Sequence, residues 1–159
     1  MTAPTDTRTP DRTVAPKASG TSGQLATFRL DGDLYGVEVE HVQEVLRSQG
    51  LTRVPLAPAA VAGLINLRGQ VVTAIELRER LGRPPRPEGT DAVVIVVRLH
   101  GEAVSLLVDS IADVVDVDAG DFEPPPDTLE GKGRDLIRGA YKLDGQLLLA
   151  LDVHKAVSA

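Results

Sequence analysis

The residue types that most often carry enzyme or metal chemistry are sparse in this sequence. Its three histidines, His41, His100 and His154, lie far apart along the chain, and none belongs to an H-E-x-x-H or paired-histidine motif. The chain has no cysteine to serve as a nucleophile, thiolate ligand or disulfide partner. It also has no G-x-S-x-G motif of the kind that presents a hydrolase serine. The sequence therefore predicts no metal site, no cofactor and no catalytic activity.

Two patterns resemble ligand-binding loops only in part. Asp116-x-Asp118 is similar to the start of a calcium loop, but the sixth position, where such a loop needs Gly for its sharp turn, is Asp121. The segment 131–133 (GKG) lacks the glycine spacing and the following Ser or Thr of a phosphate loop. We interpret the aspartates as a solvated acidic edge, which discourages aggregation between strands. They are Asp109, Asp113, Asp116, Asp118 and Asp121.

One polar pair is better suited to recognition than to catalysis. In the segment 63–69 (GLINLRG), Asn66 and Arg68 stand two positions apart beside a glycine, which places both on one side of a strand. Arginine is a common interface anchor because its planar guanidinium makes paired hydrogen bonds and stacks on flat groups. The alternative interpretation is an ordinary surface arginine at the end of a strand.

The elements that must position these residues are mostly strands. Apolar and polar residues alternate around Phe28 and Leu30 and again from Tyr35 to Val39, which is typical of half-buried strands. Asp-Gly or His-Gly pairs at 31–32, 100–101 and 144–145 separate apolar runs and predict hairpin turns. Short helices are predicted over 41–47, 77–81 and 152–157, and a loop over 123–134.

An internal repeat organises the chain. Residues 29–45 match residues 98–114 at an offset of 69, and residues 67–77 match residues 143–153 at an offset of 76. Order, polarity and turn positions recur in both pairs, so the chain is predicted to contain two copies of one small all-β unit. Neither copy alone has much core, and we expect the two to pack together.

The composition of the chain predicts where its folded part begins and where the two repeats are joined. Residues 1–24 contain no Leu, Ile or Phe and are rich in Pro, Thr, Ser and Ala, so they are predicted to form a disordered tail. The folded part is predicted over 25–159, with a first repeat at about 25–82 and a second at about 91–157. Between them, the proline-rich segment 83–90 is interpreted as a linker.

Charge and hydropathy exclude two further classes of protein. The net charge of −6 opposes binding to phosphate backbones, and an aromatic content of 3% leaves few residues for stacking on bases. We therefore expect no nucleic-acid partner. No apolar run approaches the roughly 20 residues that a membrane span requires, so we expect no direct membrane insertion.

Several segments together resemble the CheW family of bacterial chemotaxis adaptors. They are 35–37 (YGV), 42–45 (VQEV), 54–58 (VPLAP), 61–69 (VAGLINLRG), 75–78 (IELR), 80–82 (RLG), 108–109 (VD) and 137–139 (IRG). The N-L-R-G segment is the most specific of these. One departure is Thr73-Ala74, where the family often has Pro-Val. The resemblance covers about residues 25 to 157.

The resemblance implies two intertwined five-stranded SH3-like β-barrels, a few short helices and no catalytic activity. It implies binding to the cytoplasmic tip of methyl-accepting chemoreceptors and to the regulatory domain of the histidine kinase CheA. The residues expected to bind the receptor are Val42, Glu44, Asn66 and Arg68, and Ile111 and Val114 are expected to border a second partner surface. The protein would be cytoplasmic and recruited to membrane-associated receptor arrays.

Other interpretations remain open from the sequence. CheW-like modules also serve pilus-motility and other chemosensory-type pathways, and they occur within CheA and CheV proteins. Those proteins need further domains, and this chain ends at Ala159, so we expect the stand-alone adaptor. A protein of a different class, a small β-barrel enzyme or ligand-binding module, is the other alternative.

Overall fold

The computed structural model describes residues 22–47, 51–126 and 132–158. The strands are β1 (Gly23–Leu30), β2 (Asp33–Glu38), β3 (Val42–Arg47), β4 (Leu51–Thr52), β5 (Val61–Leu67), β6 (Gln70–Glu76), β7 (Val93–Leu99), β8 (Glu102–Val108), β9 (Ser110–Val117), β10 (Phe122–Glu123), β11 (Ile137–Leu143) and β12 (Gln146–Leu151). The α-helices are α1 (Leu77–Arg80), α2 (Lys132–Leu136) and α3 (Val153–Val157). None of the helices in the described ranges is long and apolar enough to cross a membrane.

The strands form two sheets. Sheet 1 has the order β10-β11-β12-β2-β1-β9, and sheet 2 has the order β3-β7-β8-β6-β5-β4. Each therefore contains five longer strands and one two-residue strand at an edge, β10 or β4. This arrangement confirms the all-β prediction of two five-stranded units with a few short helices.

The two halves of the chain are intertwined by an exchange of hairpins. The β1–β2 hairpin of the first half lies in sheet 1 with β9 to β12 of the second half, while the β7–β8 hairpin lies in sheet 2 with β3 to β6. The junctions are parallel strand pairs, β12 with β2 and β6 with β8. Each sheet is thus completed by the other half of the chain, which is why neither half has a full core alone.

Three hydrophobic clusters hold this arrangement together. The largest joins residues of both sheets, among them Phe28 and Tyr35, whose rings stack with centroids 5.9 Å apart. A second cluster fills sheet 2, where Leu46 of β3 and Leu51 of β4 pack against the same buried residues. Because these strands are the two edges of the sheet, one cluster underlies sheet 2 from edge to edge. The third cluster lies in sheet 1, and residues of both edge strands, β9 and β10, pack against it.

A pair of glycines marks the duplication in physical terms. Gly63 and Gly139 are related by the offset of 76, and each lies at a register shift of its strand, β5 or β11. A Cβ on Gly63 would lie 2.3 Å from the carbonyl oxygen of Thr52, and a Cβ on Gly139 would lie 2.3 Å from Cζ of Phe122. Only glycine permits these short edge strands to approach so closely.

The structure corrects several predicted boundaries. The helix predicted over 41–47 is wrong: a 3-10 helix occupies Val39–His41, and Val42–Arg47 form β3, because their backbone pairs with β7. The predicted 123–134 loop overlooked α2, which begins at Lys132. The helices predicted over 77–81 and 152–157 are confirmed as α1 and α3.

The N-terminal boundary also shifts. Strand β1 begins at Gly23, so the structure places Gly23 and Gln24, which were assigned to the tail, in a strand paired with β9. The rest of the predicted tail, residues 1–21, lies outside the described residues. The segment 83–90, which the sequence analysis interpreted as a linker, contains neither helix nor strand.

Candidate partner-binding surfaces

Arg68 and Glu44 form an ion pair at the surface of sheet 2. Nη2 of Arg68 donates to Oε2 of Glu44, and the side chain of Arg68 is 69% exposed, whereas that of Glu44 is only 19% exposed. The hydrogen bond from Arg68 lowers the pKa of Glu44, against the opposing effect of partial desolvation. Glu44 therefore stays ionised and holds an exposed guanidinium in a defined place.

The turn between β5 and β6 determines where Arg68 lies. Arg68 and Gly69 form this turn with φ of +50° and +88°, and they connect the paired residues Leu67 and Gln70. Oδ1 of Asn66 accepts a hydrogen bond from the backbone N–H of Gly69 at 2.9 Å. The prediction that Asn66 and Arg68 share one side of a strand is wrong for Arg68, because this residue belongs to the turn. Asn66 supports that turn.

The ion pair also joins two elements that lie far apart in the strand order of sheet 2. Glu44 lies on β3, an edge of sheet 2, and Arg68 lies at the end of the β5–β6 hairpin near the opposite edge. The backbone pairings between these elements run through β7 and β8, so the ion pair is a direct link between elements that are not paired with each other. The neighbouring Gln43 is held in turn by Arg98, whose Nε donates to Oε1 of Gln43 at 2.8 Å.

Val42 lies on the other face of β3. A register shift separates Val42, which pairs with Val97, from Glu44, which pairs with Val96. Val97 belongs to the central cluster and Val96 to the cluster inside sheet 2, so the two β3 residues face opposite ways. The structure thus brings Glu44, Asn66 and Arg68 together but leaves Val42 half-buried against the central cluster.

Ile111 and Val114 lie on β9, the edge of sheet 1. Their side chains are 41% and 57% exposed, respectively, although both residues are apolar. They pair with Phe28 and Ala26 of β1, with a register shift between them. The offset of 69 relates them to Val42 and Val45 on β3, so each sheet presents an equivalent apolar edge position.

The acidic edge predicted on β9 is only partly correct. Asp113, Asp116 and Asp118 are exposed, and Oδ1 of Asp118 accepts from the N–H of Gly120 at 3.0 Å, which caps a short 3-10 helix. Asp109 differs, because its carboxylate receives two hydrogen bonds from Arg78. It is a partly buried ion-pair residue rather than a solvated one.

This Arg78–Asp109 pair is the main polar feature that the sequence analysis missed. Arg78 is 6% exposed, and its Nη1 also donates to the carbonyl of Pro84 at 2.8 Å. Nε of Arg86 reaches Oδ1 of Asp109 at 3.2 Å, and its Nη1 reaches Oε1 of Glu76 at 2.9 Å. The network joins α1, the 83–90 segment and the end of β8. No local spacing indicated it, since the two central residues are 31 positions apart.

Burial and hydrogen bonding act in opposite directions on Asp109. Desolvation raises the pKa of its carboxyl, but hydrogen bonds from Arg78 and from the backbone N–H of Asp31, at 2.8 Å, outweigh it and hold the pKa below its usual range. Asp31 lies in the β1–β2 turn of sheet 1, so the carboxylate also ties the two sheets to each other.

Comparisons with known proteins agree with this architecture. The family model of the CheW-like domain matches residues 24–159. The chemotaxis protein CheW of Treponema pallidum (strain Nichols) is 31% identical over 140 residues, which is 86% of this chain and 82% of that protein. The CheW of Rhizobium meliloti (strain 1021) is 31% identical over 130 residues, covering 82% of this chain and 84% of its own length.

A solved structure is similar as well. The crystal structure of the scaffolding protein TtCheW from Thermoanaerobacter tengcongensis aligns with a TM-score of 0.77 at 28% identity, covering 87% of this chain and 94% of that one. These similarities confirm the predicted fold, and they confirm the prediction of a scaffold rather than an enzyme. The chain belongs to the CheW-like family of non-catalytic chemotaxis scaffold proteins.

Proposed function

We propose that this protein couples the cytoplasmic tip of a methyl-accepting chemoreceptor to the regulatory domain of the histidine kinase CheA and so transmits receptor state to kinase activity. The observation that carries the proposal is the presence of two separate exposed surfaces, the Arg68 turn on sheet 2 and the β9 edge on sheet 1. A coupling protein needs two surfaces, because it must contact both partners at once.

We assign the receptor to the Arg68 surface. A guanidinium has five N–H donors, and Arg68 gives one of its hydrogen bonds to Glu44 while most of the side chain remains exposed. Glu44 and Asn66 orient Arg68 from either side, the first through the ion pair and the second through the turn. Pre-orientation lowers the entropy that binding must overcome. Val42 contributes indirectly by anchoring β3 to the central cluster.

We assign the kinase to the apolar edge of β9. An exposed edge strand offers unpaired backbone groups, and Ile111 and Val114 add apolar side chains beside them. The exposed carboxylates of Asp113 and Asp116 flank these side chains and disfavour pairing between copies of this chain. In the cell, binding to both partners would hold the protein in the cytoplasm at membrane-associated receptor arrays.

Reconstituted signalling tests this function. Kinase autophosphorylation from radiolabelled ATP is measured with receptor cytoplasmic fragments on vesicles, with and without this protein. We expect kinase activity to respond to the receptor only when the protein is present, and the label to stay on the kinase. A kinase that responds equally without it, or stoichiometric label on this chain, would contradict the adaptor function.

A further inference from the structure

Strand β9 is the longest of the strands that lie at a sheet edge. It has eight residues, whereas the other edge strands, β3, β4 and β10, have six, two and two. In the described part of the chain, β9 pairs with β1 alone, and Ile111 and Val114 are exposed along it. A long edge with exposed apolar side chains is a template for one more strand.

The surroundings of β9 are acidic. Residues 110–121 contain four aspartates and no lysine or arginine. Asp113 and Asp116 are exposed, and neither forms an ion pair with any described residue. This edge therefore favours an occupant that carries positive charge.

The N-terminal segment, residues 1–21, has the complementary charge. Its three basic residues, Arg8, Arg12 and Lys17, outnumber its two aspartates and give it a net charge of +1. The chain as a whole carries −6, so the remaining residues carry −7. The CheW-like domain begins at residue 24, and the segment precedes it. Any role of the segment is therefore a property of this chain rather than of the shared domain.

The residues of the segment alternate in a way that suits an edge strand. Its three prolines, Pro4, Pro10 and Pro16, all occupy even positions, and threonines occupy the odd positions 5, 7, 9 and 13. Successive residues of a strand direct their backbone N–H groups to opposite sides, so the three missing N–H groups would all face away from a neighbouring strand. The odd positions keep their N–H groups, and threonine is favoured in strands.

The point where the segment joins the fold lies beside the end of β9. The hydroxyl of Ser22 accepts a hydrogen bond from the backbone N–H of Ala119 at 3.0 Å, and Gly23 pairs with Val117. A strand on the far side of β9 would lie about 10 Å from β1. Residues 17–21 can span up to about 17 Å, which is enough to pass around the end of β9. Residues 4–16 are then long enough to follow all eight residues of β9.

We propose that residues 4–16 dock on β9 as an additional, parallel edge strand and compete there with the kinase. Parallel pairing already occurs in this sheet between β12 and β2. The competition rests on the function proposed above, since the docked segment would cover Ile111 and Val114, where we place the kinase. A short tether gives an effective concentration in the millimolar range, so even weak pairing covers the edge for most of the time.

Hydrogen–deuterium exchange of the full chain and of a chain that begins at Ser22 tests the docking without any partner. We expect amides of residues 110–117 to exchange about fourfold faster in the shorter chain, since docking for about three quarters of the time leaves about one quarter of the chains open. Amides of β7, in the interior of sheet 2, are the control for folding and should not change. Equal exchange of β9 in the two chains would overturn the proposal.

Docking of this strength has only a small effect on stability. The fourfold ratio, converted with RT, corresponds to about 0.8 kcal/mol of unfolding free energy. For a chain of this length, that is a change of about 2 °C in the thermal midpoint. Exchange at β9 is therefore the more sensitive measurement.

A matched pair of proline variants tests the alternation. Thr13→Pro removes an N–H group that would point toward β9, so β9 should exchange as it does in the shorter chain. Val14→Pro removes an N–H group that would point to solvent, so β9 should stay protected. Loss of protection in both variants, or in neither, would overturn pairing as an edge strand.

Binding of a kinase regulatory-domain fragment tests the competition. The chain that begins at Ser22 and Thr13→Pro should both bind about fourfold more tightly than the full chain, because only undocked chains can bind, and Val14→Pro should bind as the wild type does. A protected β9 with unchanged kinase affinity would overturn the competition, and with it the assignment of the kinase to β9, while the docking itself would stand.

Discussion

Arg78 donates from Nε and Nη2 to the two carboxylate oxygens of Asp109, at 2.9 and 2.6 Å, from a position where its side chain is almost fully buried. The pair joins α1 to the residue that follows β8. The carboxylate of Asp109 also accepts a hydrogen bond from the backbone N–H of Asp31. One carboxylate therefore links elements of both sheets. This relationship is a polar link between the two halves of the intertwined fold.

Removing the charge of Asp109 should therefore destabilise the protein. We expect Asp109→Asn to lower the free energy of unfolding by about 3 kcal/mol, because it removes the nearest counter-charge of the buried guanidinium of Arg78. Urea unfolding followed by circular dichroism measures this change. The matched control is Asp113→Asn on β9, whose exposed carboxylate should matter by no more than about 0.5 kcal/mol. Equal effects of the two variants would show that the network contributes little.

The same pair predicts a dependence of stability on pH. The pKa of Asp109 is lower in the folded state, so its contribution is complete above the unfolded pKa of about 3.9 and is lost as the pH falls from there through the folded pKa. We expect the difference in unfolding free energy between wild type and Asp109→Asn to shrink as the pH falls below about 3.9. A difference that stays constant down to pH 2 would contradict the assignment.

Substitutions of Arg68 should change receptor binding without changing the free energy of unfolding. Arg68→Ala should weaken receptor binding by about 1–3 kcal/mol, because it removes a charge-assisted contact, and it should change the unfolding free energy by about 0.5 kcal/mol or less. Arg68→Lys should restore binding only in part, since an ammonium lacks the planar fork. Surface plasmon resonance with receptor and kinase fragments, beside urea unfolding, measures both quantities.

Arg68→Asn is the sharper variant. It creates an Asn-Gly pair, the preferred sequence for a turn in which both residues have positive φ, so stability should be kept or increased while receptor binding falls. Arg29→Ala serves as the control, because Arg29 is an exposed arginine of sheet 1. Equal loss of both partners together with a lowered unfolding midpoint would make Arg68 a structural residue.

A substitution at the β9 edge should weaken kinase binding and leave receptor binding unchanged. Val114→Asp places a charge on an apolar surface that is already exposed, so it should weaken kinase binding by at least about 1 kcal/mol while the receptor affinity stays unchanged. Leu147→Asp provides a matched control, since Leu147 is an exposed apolar residue on β12 of the same sheet. If Val114→Asp reduced receptor binding instead, the assignment of the two surfaces would be reversed.

The N-terminal boundary can be tested by truncation. A chain that begins at Ser22 should unfold within about 2 °C of the full chain, because β1 remains complete. A chain that begins at Leu25 loses the pairings of Gly23 with Val117 and Gln24 with Asp116, and its thermal midpoint should fall by several degrees. A large loss on removing residues 1–21 alone would show that the tail packs on the folded part more tightly than a weakly docked edge strand.

The sequence by itself determined the local and repeating features of this protein. Period-two alternation and the Asp-Gly and His-Gly pairs predicted strands and turns correctly, because both signals depend on residues adjacent in the chain. The repeat predicted the duplication, and the segment around Asn66 and Arg68 indicated the family. Residues 41–47 were assigned wrongly because a short apolar pattern does not distinguish a helix from a strand whose partner lies on β7.

Only the tertiary structure decided which side chains meet. Glu44 and Arg68 are 24 positions apart, and Arg78 and Asp109 are 31 positions apart. His100 and His154 also come together only because α3 lies beside the exchanged β7–β8 hairpin. The physical reason is the exchange itself: each sheet is completed by a hairpin of the other half, and nothing local in the chain records which hairpin crosses over. Tertiary pairing also decided that Val42 and Glu44 face opposite ways, because a register shift lies between them where β3 pairs with β7.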